Sequence, residues 1–143
     1  MKQRLFIALC LVLSTSSQAA SELQLPIVQG TSTDEAHQML DSGIALLWAD
    51  QSYATPIKDF GRFTADKRTS VMHSSDTEGC ERAFLSALIE LQWNAKREGG
   101  NAVVRIRSLG QNRQFSLSTT SYSCQPGRVS AHVTLRGEVV KIP

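Results

Sequence analysis

Residues 75–107 read SDTEGCERAFLSALIELQWNAKREGGNAVVRIR, and this stretch decides the fold. Ser75-Asp76-Thr77-Glu78 has the form of a capping box, in which the Ser75 and Glu78 side chains each satisfy the other's free backbone N–H. Asp76, Glu78 and Glu81 stand at the end of a helix whose dipole favours acids, and Lys96 and Arg97 near the end that favours cations. Between them Phe84, Ala87, Leu88, Leu91 and Ala95 recur at spacings of three and four, which places them on one helical face. Gly99-Gly100 stops the helix, because glycine adopts the left-handed conformation a C-cap needs. A helix over 76–98 is about 35 Å long at 1.5 Å per residue, and an apolar face of that length needs a sheet or a second helix to cover it.

The sheet is expected to follow directly. Ala102 to Arg107 reads as a strand with Val104 and Ile106 toward the helix and Val103, Arg105 and Arg107 on the other side. Leu109 to Gln114, with Gly110 and Asn112, reads as a turn. Phe115 to Cys124 suits a second strand, Gln125-Pro126-Gly127 a turn, and Arg128 to Ile142 a last strand. In that last strand Val129, Ala131, Val133 and Leu135 alternate with polar residues. Gly137 and Val139-Val140 point to a bulge or change of face.

Upstream of the helix the signals are weaker. Ser21 to Gly30, with Pro26, reads as an extended or loose leader. Ser32 or Thr33 caps a short helix over 34–40. Ile44 to Ala49 suits a short buried strand, and Phe60 to Val71 a strand or twisted hairpin arm. The expected architecture is α+β: one long amphipathic helix packed on a small, mainly antiparallel sheet, with a short N-terminal helix.

The first twenty residues have the pattern of a secretion signal. Lys2 and Arg4 precede a short apolar core, Leu5 to Leu13, and small residues stand near 17–20. The apolar run is about half the ~20 residues of a membrane span, so no transmembrane anchor is expected. Cys10 interrupts the apolar core and follows Leu9, which does not fit a lipoprotein cysteine. Cleavage leaves residues 21–143 as a single domain, periplasmic or secreted. It also removes Lys2 and Arg4 from the 15 basic residues. The remaining 13 then balance the 13 acidic ones, so the charge gives no argument for nucleic-acid binding.

Cys80 and Cys124 then stand as an even pair in an oxidising compartment, which reads as a disulfide. The redox-active spacing C-x-x-C is absent. A bridge over 44 positions contributes roughly 4 kcal/mol in the chain-entropy treatment, comparable with much of the stability of a small domain.

Cys80, Ala83 to Ala87, Leu91-Gln92, Gly99 to Val104, Ile106 to Ser108, Phe115-Ser116, Cys124 and Gly137 to Lys141 together resemble a family of small exported bacterial proteins commonly mislabelled "excinuclease ATPase subunit". The resemblance covers residues from about 60 to 142. More distantly, the helix–Gly–Asn-Ala-Val–strand arrangement is similar to YbjQ-type and RcsF-like domains, which pack a helix on a small sheet. RcsF is a lipoprotein with four cysteines, so its sensor role does not transfer to a chain with two cysteines after the signal. The ATPase label fails on chemistry, since the phosphate-cradling G-x-x-x-x-G-K-[ST] run is missing.

Among the groups that could carry chemistry, His37, His73 and His132 lack metal-ligand spacing. No G-x-S-x-G elbow is present, and Asp59, Asp66 and Asp76 form no marked catalytic couple. No enzyme activity, metal or cofactor is expected. The arginines Arg105, Arg107, Arg113, Arg128 and Arg136 remain. Arg105 and Arg107 share a strand face, and if Arg136 lies on a neighbouring strand facing the same way, the open sheet face becomes basic. Such a face suits an anionic partner, such as an envelope lipid or an acidic envelope protein. The sequence therefore reads as an exported, non-enzymatic interaction module of the cell envelope, with a small-ligand or metal-binding protein using His73 or His132 as the alternative.

Overall fold

The computed structural model describes residues 21–143. The secretion signal read over 1–20, Cys10 included, lies outside the described residues. Nine elements follow in order: β1 (Leu23–Pro26), α1 (Ile27–Thr31), α2 (Asp34–Met39), β2 (Ala45–Trp48), β3 (Lys58–Ser70), α3 (Asp76–Glu98), β4 (Ala102–Ser108), β5 (Ser121–Pro126) and β6 (Ser130–Lys141).

Helix α3 has the limits its capping signals dictate. Glu78 N–H donates to Ser75 Oγ at 3.2 Å and Ser75 N–H to Glu78 Oε2 at 2.9 Å. At the other end Gly99 takes φ +89°, and Gly100 N–H closes on the Ala95 carbonyl at 2.8 Å. The face formed by Cys80, Ala83, Phe84, Ala87, Leu88, Leu91 and Ala95 is fully buried. Each large apolar side chain on it contributes about 1.5–3 kcal/mol by leaving water. Phe84 lies stacked between Trp48 and Tyr122, with ring centroids 5.7 and 3.8 Å away.

Strand β6 is the spine of the sheet. Along one edge it pairs antiparallel with the whole of β3, from Lys58↔Lys141 to Ser70↔Ser130. Two strands share its other edge: β4 opposite residues 135–140 and β5 opposite residues 131 and 132. β1 extends β5 antiparallel, and β2 extends β4 in parallel. The six-stranded sheet is thus larger than the small one expected, and one of its pairs is parallel. Ala65, Val103, Ile106, Val133, Leu135 and Val139 belong to the core under α3.

Several local expectations change. Ser21 to Gly30 is not a loose leader: it supplies β1, which lays Leu23 opposite Cys124, and α1. Four residues are too few to show a period, and their pairing partner lies about a hundred positions away. Gly30 lets α1 pass over Phe84, since a methyl there would come within 2.7 Å of the ring. Phe115 to Cys124 is not one strand either. Only Ser121 onward forms a strand, beyond a single bridge of Phe115 to Leu109, while Ser118 Oγ accepts from the backbone N–H groups of Thr120 and Ser121 at 3.2 and 3.0 Å. Such local hydroxyl bonds compete with a ladder.

The alternation in β6 runs on through Gly137, with Val139 inward and Val140 in a small second cluster with Ala102 and Val104 on the opposite face. Val129, expected inward, precedes β6 and is exposed. The bulge lies in β4 instead. The register against β6 shifts between Val104 and Arg107, and Arg105 takes φ +53°. Val103 and Ile106 therefore face α3, while Val104 turns to the other side.

Two amide side chains, Gln92 buried and Asn101 partly so, hold separate segments together. Gln92 in α3 donates to the carbonyls of Asp41 and Ile44, both at 3.0 Å, and accepts from Asp41 N–H at 2.8 Å. Asn101 both donates to and accepts from the Ile142 backbone, at 2.9 and 2.8 Å, which closes the sheet's end like one more ladder rung. Cys80 and Cys124 are joined in a disulfide, with Cα atoms 5.9 Å apart and both residues fully buried. It fastens the first turn of α3 to β5.

Candidate functional site

On the sheet face away from α3, four guanidinium groups converge. Arg62 comes from β3, Arg105 and Arg107 from β4, and Arg136 from β6; with Gly137 and Glu138 they line a cleft of about 130 Å³. Pockets for drug-sized ligands hold roughly 300–1,000 Å³, so this cleft suits one small group. Register explains the convergence. Arg107 lies directly opposite Arg136 across β4 and β6, and Arg62 directly opposite Glu138 across β3 and β6. The condition set by the sequence, that Arg136 neighbour Arg105 and Arg107 on one face, holds.

The arrangement is costly to the fold in three ways. Like charges facing each other across a ladder destabilise it, and Arg107–Arg136 is such a pair. Arg107 Nε is buried without a hydrogen-bond partner, and an unmatched buried donor bears its desolvation cost. Arg105 occupies the left-handed region, which costs a residue with a Cβ about 1–2 kcal/mol and which glycine enters freely.

The compensation is partial. Arg105 reaches Glu138 at 3.7 Å, in a pair half open to solvent on the arginine side and so worth about 0–1 kcal/mol. Arg136 rests on the Phe115 ring, with its guanidinium carbon 3.7 Å from the centroid, a cation–π contact. Partial burial, followed by the fields of Arg62 and Arg107, pushes the Arg136 pKa below the ordinary arginine value, with Glu138 opposing them. A guanidinium stays charged in a protein, so proton loss does not relieve the crowding. Four arginines facing one carboxylate and one another form a preorganised set of planar donors, the geometry suited to phosphate and carboxylate oxygens.

The remaining candidates lie elsewhere. Arg113 is exposed in the 110–114 turn and Arg128 in the turn before β6; neither lines the cleft. Arg62 was missed because nothing local in the sequence sets the β3–β6 register, which also shifts at Gly61. Simple alternation from Phe60, which packs against the core, would have put Arg62 on the wrong face.

His132 touches Asp66, and Thr134 Oγ1 donates to the same carboxylate at 3.3 Å. His73 is exposed in the loop before α3. Among the described residues, no three or more histidine, cysteine, aspartate or glutamate side chains gather where they could hold a metal ion. The two bonded cysteines supply no thiol. No helix among the described residues is long and apolar enough to cross a membrane.

No protein-family model matches the sequence, and neither a curated protein nor a solved structure gives a match.

Proposed function

We propose that this protein is an exported, non-enzymatic module of the cell envelope that holds an anionic partner on its open sheet face. The observation that carries the reading is the convergence of Arg62, Arg105, Arg107 and Arg136 from three strands on one cleft. A fold that keeps like charges adjacent and a guanidinium nitrogen buried without an acceptor has a use for an anion there. The buried Cys80–Cys124 disulfide is compatible with an oxidising compartment, and the basic, apolar and small-residue blocks of the first twenty residues support export. An envelope partner follows from combining that compartment with a positive cleft.

Two measurements test the reading. Protein recovered from the periplasm of a bacterial host is expected to have an intact mass that begins near Ala20 or Ser21 and lacks the two hydrogens a disulfide removes. A retained signal or free thiols would overturn the export reading. The same protein is expected to sediment with phosphatidylglycerol vesicles but not with neutral phosphatidylcholine vesicles, and to be released as salt rises, since screening shortens the reach of exposed charges to about 8 Å at physiological ionic strength. Equal behaviour on both vesicles would overturn the anion-binding reading.

A further inference from the structure

We infer that the four-arginine cleft is a phosphomonoester site, taking a terminal phosphate group in preference to a phosphodiester, and that the bulge at Arg105 exists to complete it. The inference rests on the anion-binding reading above and names the ligand chemistry.

Charge is the first argument. Four guanidiniums lie against the single carboxylate of Glu138, so the cleft carries a net charge of three positive. A phosphodiester brings one negative charge and two terminal oxygens. A monoester brings about −1.5 to −2 at neutral pH and three terminal oxygens on one small group. It neutralises more of the cleft and offers an acceptor to more of the forked donors that line it. The cleft volume of about 130 Å³ has room for such a group and leaves the rest of the molecule outside.

The second argument is the backbone at Arg105. The β4 register shifts between Val104 and Arg107. An uninterrupted strand would place residues 103, 105 and 107 on one face, and Val103 lies in the core under α3. The bulge lets Val103 and Ile106 both pack against α3 while Arg105 and Arg107 both reach the cleft. A bulge residue at φ +53° is a position for glycine, and glycine would remove the local strain. A strained residue whose side chain joins a charged cleft points to a ligand. Phe115 under Arg136 and Glu138 beside Arg105 act as positioning groups that hold two of the four forks.

The test uses full-length protein exported to and purified from the periplasm, with its disulfide intact. Its binding is compared on phosphatidylcholine vesicles doped with phosphatidic acid, a monoester, or with phosphatidylglycerol, a diester, at equal measured surface charge. The expected result is about tenfold tighter binding to phosphatidic acid, the scale of one added charge-assisted pair. Arg105→Gly is expected to melt no lower than the parent and to lose that preference. Arg107→Lys keeps the charge but not the fork, and is expected to lose it as well.

Equal binding to the two lipids would overturn the monoester assignment and leave the anionic face standing. Binding to neither beyond plain phosphatidylcholine would overturn both. A preference that survives in both variants would place the site outside this cleft and overturn the inference. Competition with soluble glycerol 1-phosphate then separates the two sources: displacement from the vesicles supports a free phosphomonoester as the ligand, and its failure supports a lipid headgroup.

Discussion

The two faces of this sheet are built on opposite terms. Under α3, Ala65, Val103, Ile106, Val133, Leu135 and Val139 are completely buried, and the amide of Gln92 finds three partners. On the other face the same strands β3, β4 and β6 set Arg62, Arg105, Arg107 and Arg136 side by side. One of them lies in a strained backbone conformation and one has a buried donor without an acceptor, a deficit that the Tyr122 hydroxyl shares on the covered side. The covered face is where stability is generated. The open face is where some of it is given up, which is the usual relation between a scaffold and a site. Mutations on the two faces should therefore differ in sign as well as size.

The largest effect is expected from the staple. Cys80→Ser should cost roughly 4 kcal/mol by the loop-entropy argument and lower the melting temperature strongly; an unchanged melting temperature would remove the disulfide from the account of stability. Leu88→Ala, in the middle of the covered face, should cost about 2–5 kcal/mol in denaturant unfolding. A loss under 1 kcal/mol would mean that α3 does not pack as described.

On the open face the sign should reverse. Arg107→Gln removes a like-charge neighbour of Arg136 and the unpartnered Nε, so stability should hold within about 0.5 kcal/mol or rise, while vesicle binding falls. A destabilisation as large as that of Leu88→Ala would erase the distinction between the faces.

The smallest effect concerns pH at the edge of the covered side. The Asp41 carboxyl is held below its ordinary value of 3.8, first by the hydrogen bond from Lys96 and then by Gly43 N–H. A depressed folded value means that its contribution is complete above the unfolded value and is lost as pH falls through the folded one. Asp41→Asn should therefore lower stability slightly at neutral pH, where that contribution is complete, and flatten the acid limb of the stability profile below about pH 4. A steeper acid limb in the variant would contradict the assignment.

Legibility followed the range of the interactions. The limits of α3, its buried face and its pairing with a following strand were written in neighbouring residues: Ser75 and Glu78 cap one end, Gly99 the other, and the apolar spacing lies between. The Cys80–Cys124 pairing needed only the two cysteines beyond residue 20 and the expectation of an oxidising compartment. The failures were matters of register and of remote pairing, apart from the local Ser118 hydroxyl bonds that break up residues 115–120. The inward set of β4 was misassigned because a bulge adds one residue, and one residue reverses the face of every side chain before it. The short strand β1 could not be seen because its partner β5 is remote in sequence.

What the sequence by itself determined is the helix, the staple and a set of arginines that had no apolar face to join. Their capping, spacing and charge are local properties, legible without knowing what lies across the fold. Only the tertiary structure decided that Arg62 joins Arg105, Arg107 and Arg136, that Arg113 and Arg128 do not, and that Arg105 is held in a left-handed turn to do so. Those facts depend on how β3, β4 and β6 slide against one another, and that register is chosen by the packing of the opposite face against α3.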